Sequence, residues 1–179
     1  AHLTRGWEPD MAVFGKAISN GHPMAAVIGT RELMEAAQTT FISSTYWTER
    51  SGPAAALATI RKMQRIDAPA ILDTVGREVR RVWQQAAQTA GLDIHVGGMV
   101  PLSHIGFPGE NPMIARTFFN QEMLKLGFLT TGAVYASVAH ETELIHRYGE
   151  ACETVFRSLQ HRLAAGDIEN ALEGPVAHS

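Results

Sequence analysis

The chain has 179 residues, 45% of them hydrophobic and 18% charged, enough apolar material to bury a core and too much for a disordered chain; the length suits one medium domain, or one small domain plus part of another. Fifteen lysines and arginines against 18 aspartates and glutamates leave a net charge of -3 with no basic block, so there is no electrostatic case for nucleic acid or an anionic membrane, and no apolar run is long enough to span one. The single cysteine, Cys152, excludes an internal disulfide and a thiolate metal cluster and fits a reducing, cytoplasmic setting, which leaves a small molecule as the expected partner.

Along the chain, Asp10 to Phe14 and Met24 to Ile28 are short apolar runs that read as strands, joined by a turn-rich connection that holds Lys16. A short helix is expected over Arg31 to Ala37, then a hydroxyl-rich loop, Ser43-Ser44-Thr45-Tyr46-Trp47-Thr48. Pro53 suits a first helical turn, and Leu57, Ile60 and Met63 continue at helical spacing until Asp67-Ala68-Pro69. A longer helix follows directly, with Leu72, Val75, Val79, Val82, Trp83 and Ala86 as its apolar stripe and Gly91 as its stop. Beyond Gly91 the period changes to alternation, and a hairpin is expected with its turn at Gly97-Gly98 and its second strand over Val100 to Phe107. Asn111 and Pro112 mark a helix start and Gly127 its end; a strand lies within Phe128 to Val138, and a last helix after His140 presents Leu144, Tyr148, Ala151, Val155 and Leu159. Cys152 falls beside that stripe and reads as core.

Chemistry concentrates at one lysine. The chain has three, Lys16, Lys62 and Lys125, and the last two sit on amphipathic helices where a solvated face accounts for them. Lys16 is the one formally charged side chain between Asp10 and Arg31. An amine held in apolar surroundings loses its proton more readily and can attack a carbonyl, as a Schiff-base lysine must; the plain alternative is a loop lysine reaching solvent. Ser43, Ser44 and Thr45 precede a helix, where hydroxyls and free amides suit a phosphate, although such residues serve equally as caps and turns.

Other motifs fail. Gly15-Lys16 lacks the earlier glycine and the following hydroxyl of a nucleotide loop, and His140-Glu141 has Leu144 where a zinc-protease motif needs its second histidine. No metal site is expected. His95 and His104, facing each other across the hairpin, and Glu32 with Glu35 on one helix face, read as surface polar pairs.

The run from Glu8-Pro9-Asp10 through Phe14-Gly15-Lys16-Ala17-Ile18-Ser19-Asn20-Gly21 to Pro23 and Gly29 resembles the lysine segment of class III pyridoxal-phosphate aminotransferases. Ser43-Ser44-Thr45-Tyr46-Trp47-Thr48-Glu49-Arg50, followed by Gly52-Pro53 and an alanine-rich helix, looks like the next landmark of that family, and Tyr135 to His140 is similar to a late segment of glutamate-1-semialdehyde aminomutase-like members. The resemblance implies an α/β fold, the C-terminal part of a fold-type I pyridoxal-phosphate enzyme, with residues 1–67 ending the large domain and 68–166 forming the small α/β domain; 167–179, where Gly166, Gly174 and Pro175 interrupt a sequence of weak periodicity, reads as a loose tail. It implies pyridoxal 5'-phosphate as cofactor, joined to Lys16 as a Schiff base, with Lys16 then carrying protons during amino transfer or mutation. It also implies that Thr45, with Ser44 beside it, donates to the cofactor phosphate of a neighbouring subunit, so that a homodimer shares its active sites. The substrate would be a small amine, ketone or aldehyde, and Gly132 to Ser137, lacking the late carboxylate-binding arginine of many aminotransferases, favours the aminomutase-like branch. The opening at Ala1, with neither initiator methionine nor signal-peptide pattern, reads as a fragment expected to be weakly active alone. A small non-catalytic α/β interaction domain and a cofactor-free Schiff-base lyase are the rivals to this reading.

Overall fold

The computed structural model describes residues 6–177, which puts the opening at Ala1 outside the described part. The chain divides into two compact units, Ala1–Asp67 and Ala68–Ser179.

In the first unit, strands β1 (Met11–Phe14) and β2 (Ala26–Gly29) pair antiparallel, with Met11 opposite Gly29 and Phe14 opposite Ala26. Gly29 is required there, because a Cβ would come within 2.8 Å of the Asp10 carbonyl oxygen. Helix α1 (Arg31–Glu35) passes into a 3-10 turn over Ala36–Thr39, and after the hydroxyl-rich loop helix α2 (Ser51–Arg65) completes the unit. A two-stranded ribbon covers little. Val13 is 71% exposed and Ile28 56%, so the apolar residues that identify the strands are largely open to solvent.

The second unit runs α3 (Ala68–Ala90), β3 (His95–Met99), β4 (Leu102–Gly106), α4 (Pro112–Lys125), β5 (Ala133–Tyr135) and α5 (Thr142–Ala165). Its three strands form one antiparallel sheet with β4 in the middle. The stripe expected on α3 is its core face: Val75, Val79, Val82, Trp83 and Ala86 are buried, and Gly91 follows with a φ of 66°. On α5, Ile145 rather than Leu144 turns inward, together with Tyr148, Cys152, Val155, Phe156 and Leu159. Phe107, Phe119 and Phe156 meet with ring centroids 5.4 to 6.0 Å apart. Fully burying each ring is worth roughly 1.5 to 3 kcal/mol, so this cluster anchors the sheet end and both later helices on one centre. Gly149 lets α5 approach α3, since a Cβ there would meet the Val82 side chain at 2.9 Å.

Three sequence expectations change. The hairpin turns at Val100-Pro101, and Gly97-Gly98 lie within β3 opposite His104 and Ser103. The reason is tertiary: Arg80 from α3 donates from Nε to Ser103 Oγ at 2.6 Å and from Nη2 to the Gly98 carbonyl at 2.8 Å, while the buried Ser103 hydroxyl donates to the Val100 carbonyl at 2.8 Å. Asn111 precedes α4 without a side-chain cap, leaving Pro112 to set the start. Residues 168–177 are held against the core. A 3-10 turn over Ile168–Ala171 packs Ile168, Ala171 and Leu172 on the core; Gln121 Nε2 donates to the Ala171 carbonyl at 3.0 Å, and the Glu173 and Ala177 amides donate to Gln121 Oε1 and Thr117 Oγ1 at 2.8 and 2.9 Å. Two side chains of α4 thus replace the regular structure that weak periodicity argued against.

Candidate active site

Lys16 opens a 3-10 turn, Lys16–Ile18, at the end of β1. Gly15 before it is extended, with φ at -156°, whereas Lys16 itself has φ of 52°, a left-handed conformation costly for a side chain with a Cβ. The Ile18 amide donates across it to the Gly15 carbonyl at 3.2 Å. Two residues on, Asn20 also has positive φ, at 46°, and Gly21 follows at 118°. Ser19, between Lys16 and Asn20, is 2% exposed, and its hydroxyl donates to the His22 carbonyl. A buried, hydrogen-bonded serine therefore holds a backbone that places two non-glycine residues in the left-handed region, a kind of strain that clusters at functional sites.

The side chain of Lys16 is exposed, which corrects the expectation that apolar neighbours in sequence would bury the amine. Those neighbours belong to an open ribbon, so they do not close over it.

Helix α2 meets the Lys16 connection at its other end. Gly52 is buried, and a Cβ on it would lie 3.1 Å from the Pro23 carbonyl oxygen and 3.3 Å from Met24 Cβ. Upstream of Gly52, Ser44 and Thr45 are exposed on the loop that leads into this contact. Ser44 Oγ accepts from the Tyr46 amide at 3.2 Å, which leaves the hydroxyl proton free to donate. Among the described residues no hydrogen bond joins Lys16 to either hydroxyl; the structure brings the two segments together through backbone and Gly52, not through these side chains.

The start of α2 is not an open anion site. Glu49 accepts from the Ser51 amide at 2.8 and 2.9 Å and from the Gly52 amide at 3.4 Å. The Ser51 hydroxyl, then the Ser51 amide, hold its carboxyl below the ordinary carboxylate range. The free amides expected beside the hydroxyl cluster are therefore already satisfied by a carboxylate, as a helix N-terminus prefers. The signal was in the sequence, an acidic residue two positions before the first helical amide. The positive φ at Asn20 was signalled by Asn20-Gly21, whereas nothing local marks Lys16 itself.

In the second unit, the segment Gly132 to Ser137 supplies β5 and holds no arginine of its own, but Arg116 from α4 lies against its start, with Nε donating to the Thr131 carbonyl at 2.9 Å. An apolar cavity of about 260 Å³ opens beside it, lined among others by Val79, Phe128, Val134, His140 and Tyr148. His140 Nδ1 accepts from the Ser137 amide at 3.1 Å, which ties the late His140 segment to the end of the sheet. No described helix is long and apolar enough to cross a membrane, and no three metal-ligating side chains converge among the described residues.

Comparison with known proteins places the chain among the transaminases and aminomutases it resembles. The chain is 30% identical over 151 residues to a 2'-deamino-2'-hydroxyneamine transaminase of Streptomyces kanamyceticus, covering 82% of this chain and 38% of that protein. It is 31% identical over 172 residues to a glutamate-1-semialdehyde 2,1-aminomutase of Polaromonas naphthalenivorans, covering 84% and 38%. Among solved structures, the FumI protein of Sphingopyxis sp. MTA144, in its PLP internal aldimine form, superimposes with a TM-score of 0.83 at 24% identity, over 92% of this chain and 40% of that one. The mixed α/β fold is thus that of fold-type I transaminases, of whose length the chain spans about two fifths. Residues 1–92, which contain the strained lysine turn and the hydroxyl loop, match the description of aminotransferase class-III, and the chain belongs to that family.

Proposed function

We propose that the protein of which this chain is part moves an amino group between small molecules as a pyridoxal 5'-phosphate-dependent aminotransferase or aminomutase, with Lys16 as its covalent anchor. The observation that carries the reading is the backbone of Lys16, a non-glycine residue at φ of 52° with an exposed amine, in a turn fixed by the buried Ser19. The residues present fit the cofactor. An aldehyde requires a reachable primary amine, which Lys16 offers, and a phosphate requires donors, which Thr45 and Ser44 offer as exposed hydroxyls. With Glu49 already on the first amides of α2, a phosphate would be held by those hydroxyls and not by the helix end.

Pyridoxal 5'-phosphate, when bound, supplies a carbonyl that exchanges amines and a ring that takes up the electron pair left when a proton leaves the substrate carbon. Lys16 would hold the cofactor through Nζ, and the same Nζ, when free, would accept and return the proton of the substrate carbon. The strained turn limits where that amine can reach, and orientation of this kind is a large part of what a protein contributes. Thr45 and Ser44 would keep the phosphate end in register.

Thr45 acts, in this reading, on the cofactor of a second copy, in a homodimer. Its loop supports that arrangement: Phe41 is 95% exposed and Tyr46 and Trp47 are 76% and 67% exposed, apolar rings suited to cover by another protein surface. The absence of an arginine from Gly132 to Ser137 supports the aminomutase-like branch, and the single, buried Cys152 is consistent with a cytoplasmic protein.

The test is to load the intact parent protein with pyridoxal 5'-phosphate, reduce with borohydride and map the pyridoxyl group. It is expected on Lys16, in a protein that sediments as a dimer. A pyridoxyl group found on Lys62 or Lys125 overturns the assignment.

A further inference from the structure

We propose that His95 and His104 form a two-imidazole surface site for a late first-row divalent cation, copper(II) foremost, on the β3–β4 hairpin. The inference is independent of the reading of Lys16, since both residues lie on the hairpin of the second unit.

The register pairs Gly97 with His104 and His95 with Gly106, which puts the two histidines diagonally on one face of the ribbon with Gly97 between them. Gly97 explains the arrangement. A Cβ on it would lie 2.7 Å from His104 Nε2, 3.1 Å from His104 Cε1 and 3.1 Å from His95 Nε2. Its three nearest neighbours are thus all imidazole atoms. Gly98 differs, because a φ of 86° and a Cβ only 2.4 Å from the Leu102 carbonyl oxygen demand glycine for backbone reasons. At Gly97 the φ does not require glycine; the missing side chain is what lets the two rings lean together over the strand.

Two imidazole nitrogens 2.7 and 3.1 Å from one point are close enough for one cation to draw them together. Imidazole holds zinc-like ions at about 2.0 to 2.1 Å, so an ion seated just outside the vacant side-chain position asks each ring to close by about an ångström or less. Both residues are exposed, so their rings can swing that far without disturbing the core. Neither ring is engaged in an ion pair among the described residues, and the strands that carry them are pinned by Arg80 through the Gly97 and Gly98 carbonyls. No third protein ligand joins them among the described residues, which leaves the remaining coordination positions to water. That favours copper(II), which heads the affinity order for nitrogen ligands and accepts a tetragonal set of imidazoles and waters.

The experiment is a copper(II) titration of the full 179-residue chain, followed by proton NMR of the histidine ring signals and by calorimetry. Substoichiometric copper is expected to broaden the His95 and His104 rings together, ahead of the other histidines. His95→Ala and His104→Ala should each weaken the first-equivalent affinity at least about tenfold, as loss of a ligand must exceed the loss of an outer-shell partner. His161→Ala, on an exposed position of α5, should leave it unchanged, and unaltered amide spectra of β3 and β4 will show that the hairpin is intact in each variant. Broadening that begins at other histidines, or wild-type affinity in either hairpin variant, overturns the site.

Discussion

Replacing Lys16 by alanine and by glycine separates what the lysine does from what its backbone costs. Both variants remove the amine, so neither should take up a pyridoxyl group at residue 16. Their stabilities should differ. A residue with a Cβ at φ of 52° sits in left-handed space, at a cost of roughly 1 to 2 kcal/mol, and alanine keeps that cost while glycine removes it. Glycine in turn loses more backbone freedom on folding, by roughly 0.5 to 1 kcal/mol. The difference leaves Lys16→Gly ahead of Lys16→Ala by about 0.5 to 1 kcal/mol, which is about a two- to fivefold change in a local opening equilibrium. The Ile18 amide, bonded across residue 16 to the Gly15 carbonyl at 3.2 Å, reports that opening by hydrogen exchange. Its exchange should be about two to five times slower in Lys16→Gly than in Lys16→Ala. Equal or faster exchange in the glycine variant would refute the claim that the turn is strained at Lys16, and with it the argument that the lysine is retained for its chemistry at a cost in stability.

Thr45→Ala in the intact parent should weaken pyridoxal 5'-phosphate binding by about one to two orders of magnitude, the worth of one charged hydrogen bond at roughly 1.5 to 3 kcal/mol, while Thr45→Ser retains most of it in a fluorescence titration. Tyr148→Phe should destabilise the second unit by about 1 to 2 kcal/mol in calorimetry, because it orphans the fully buried Trp83 indole N–H that donates to the phenol oxygen at 3.0 Å, and only the weakly accepting Cys152 sulfur lies alongside to replace it. Arg81 holds the Glu78 carboxyl below its ordinary 4.5 against an opposing push from burial, with His146 adding to the effect. A depressed carboxylate contributes stability above its unfolded pKa and loses it as pH falls through the folded one, so Glu78→Gln should flatten the acid limb of stability below about pH 4.5, and an unchanged limb in acid titrations would remove this group from it.

What could be read without coordinates depended on whether the cause of a feature lay nearby in the chain. Helix α3 was readable because its stripe, Val75 to Ala86, and its stop at Gly91 are set by period and by a φ that glycine supplies. Gly97-Gly98 was misread as a turn because two adjacent glycines carry the same letters whatever excludes their side chains. Here the excluding groups are the Leu102 carbonyl and two imidazoles on both strands, while Arg80 arrives from another helix. Lys16 divides the same way. Its selection as the candidate Schiff-base lysine rests on contiguous residues, which lie within the stretch 1–92 that matches the family. Its expected seclusion rested on counting charges along the sequence, which measures neighbours in the chain and not in space, and the open ribbon of β1 and β2 leaves the amine exposed. Chemistry that depends on one residue type in a local turn is therefore written in the segment itself. The dielectric around it is written by whatever packs on both faces of that ribbon, and a two-stranded sheet with Val13, Val27 and Ile28 open to solvent does not contain that information.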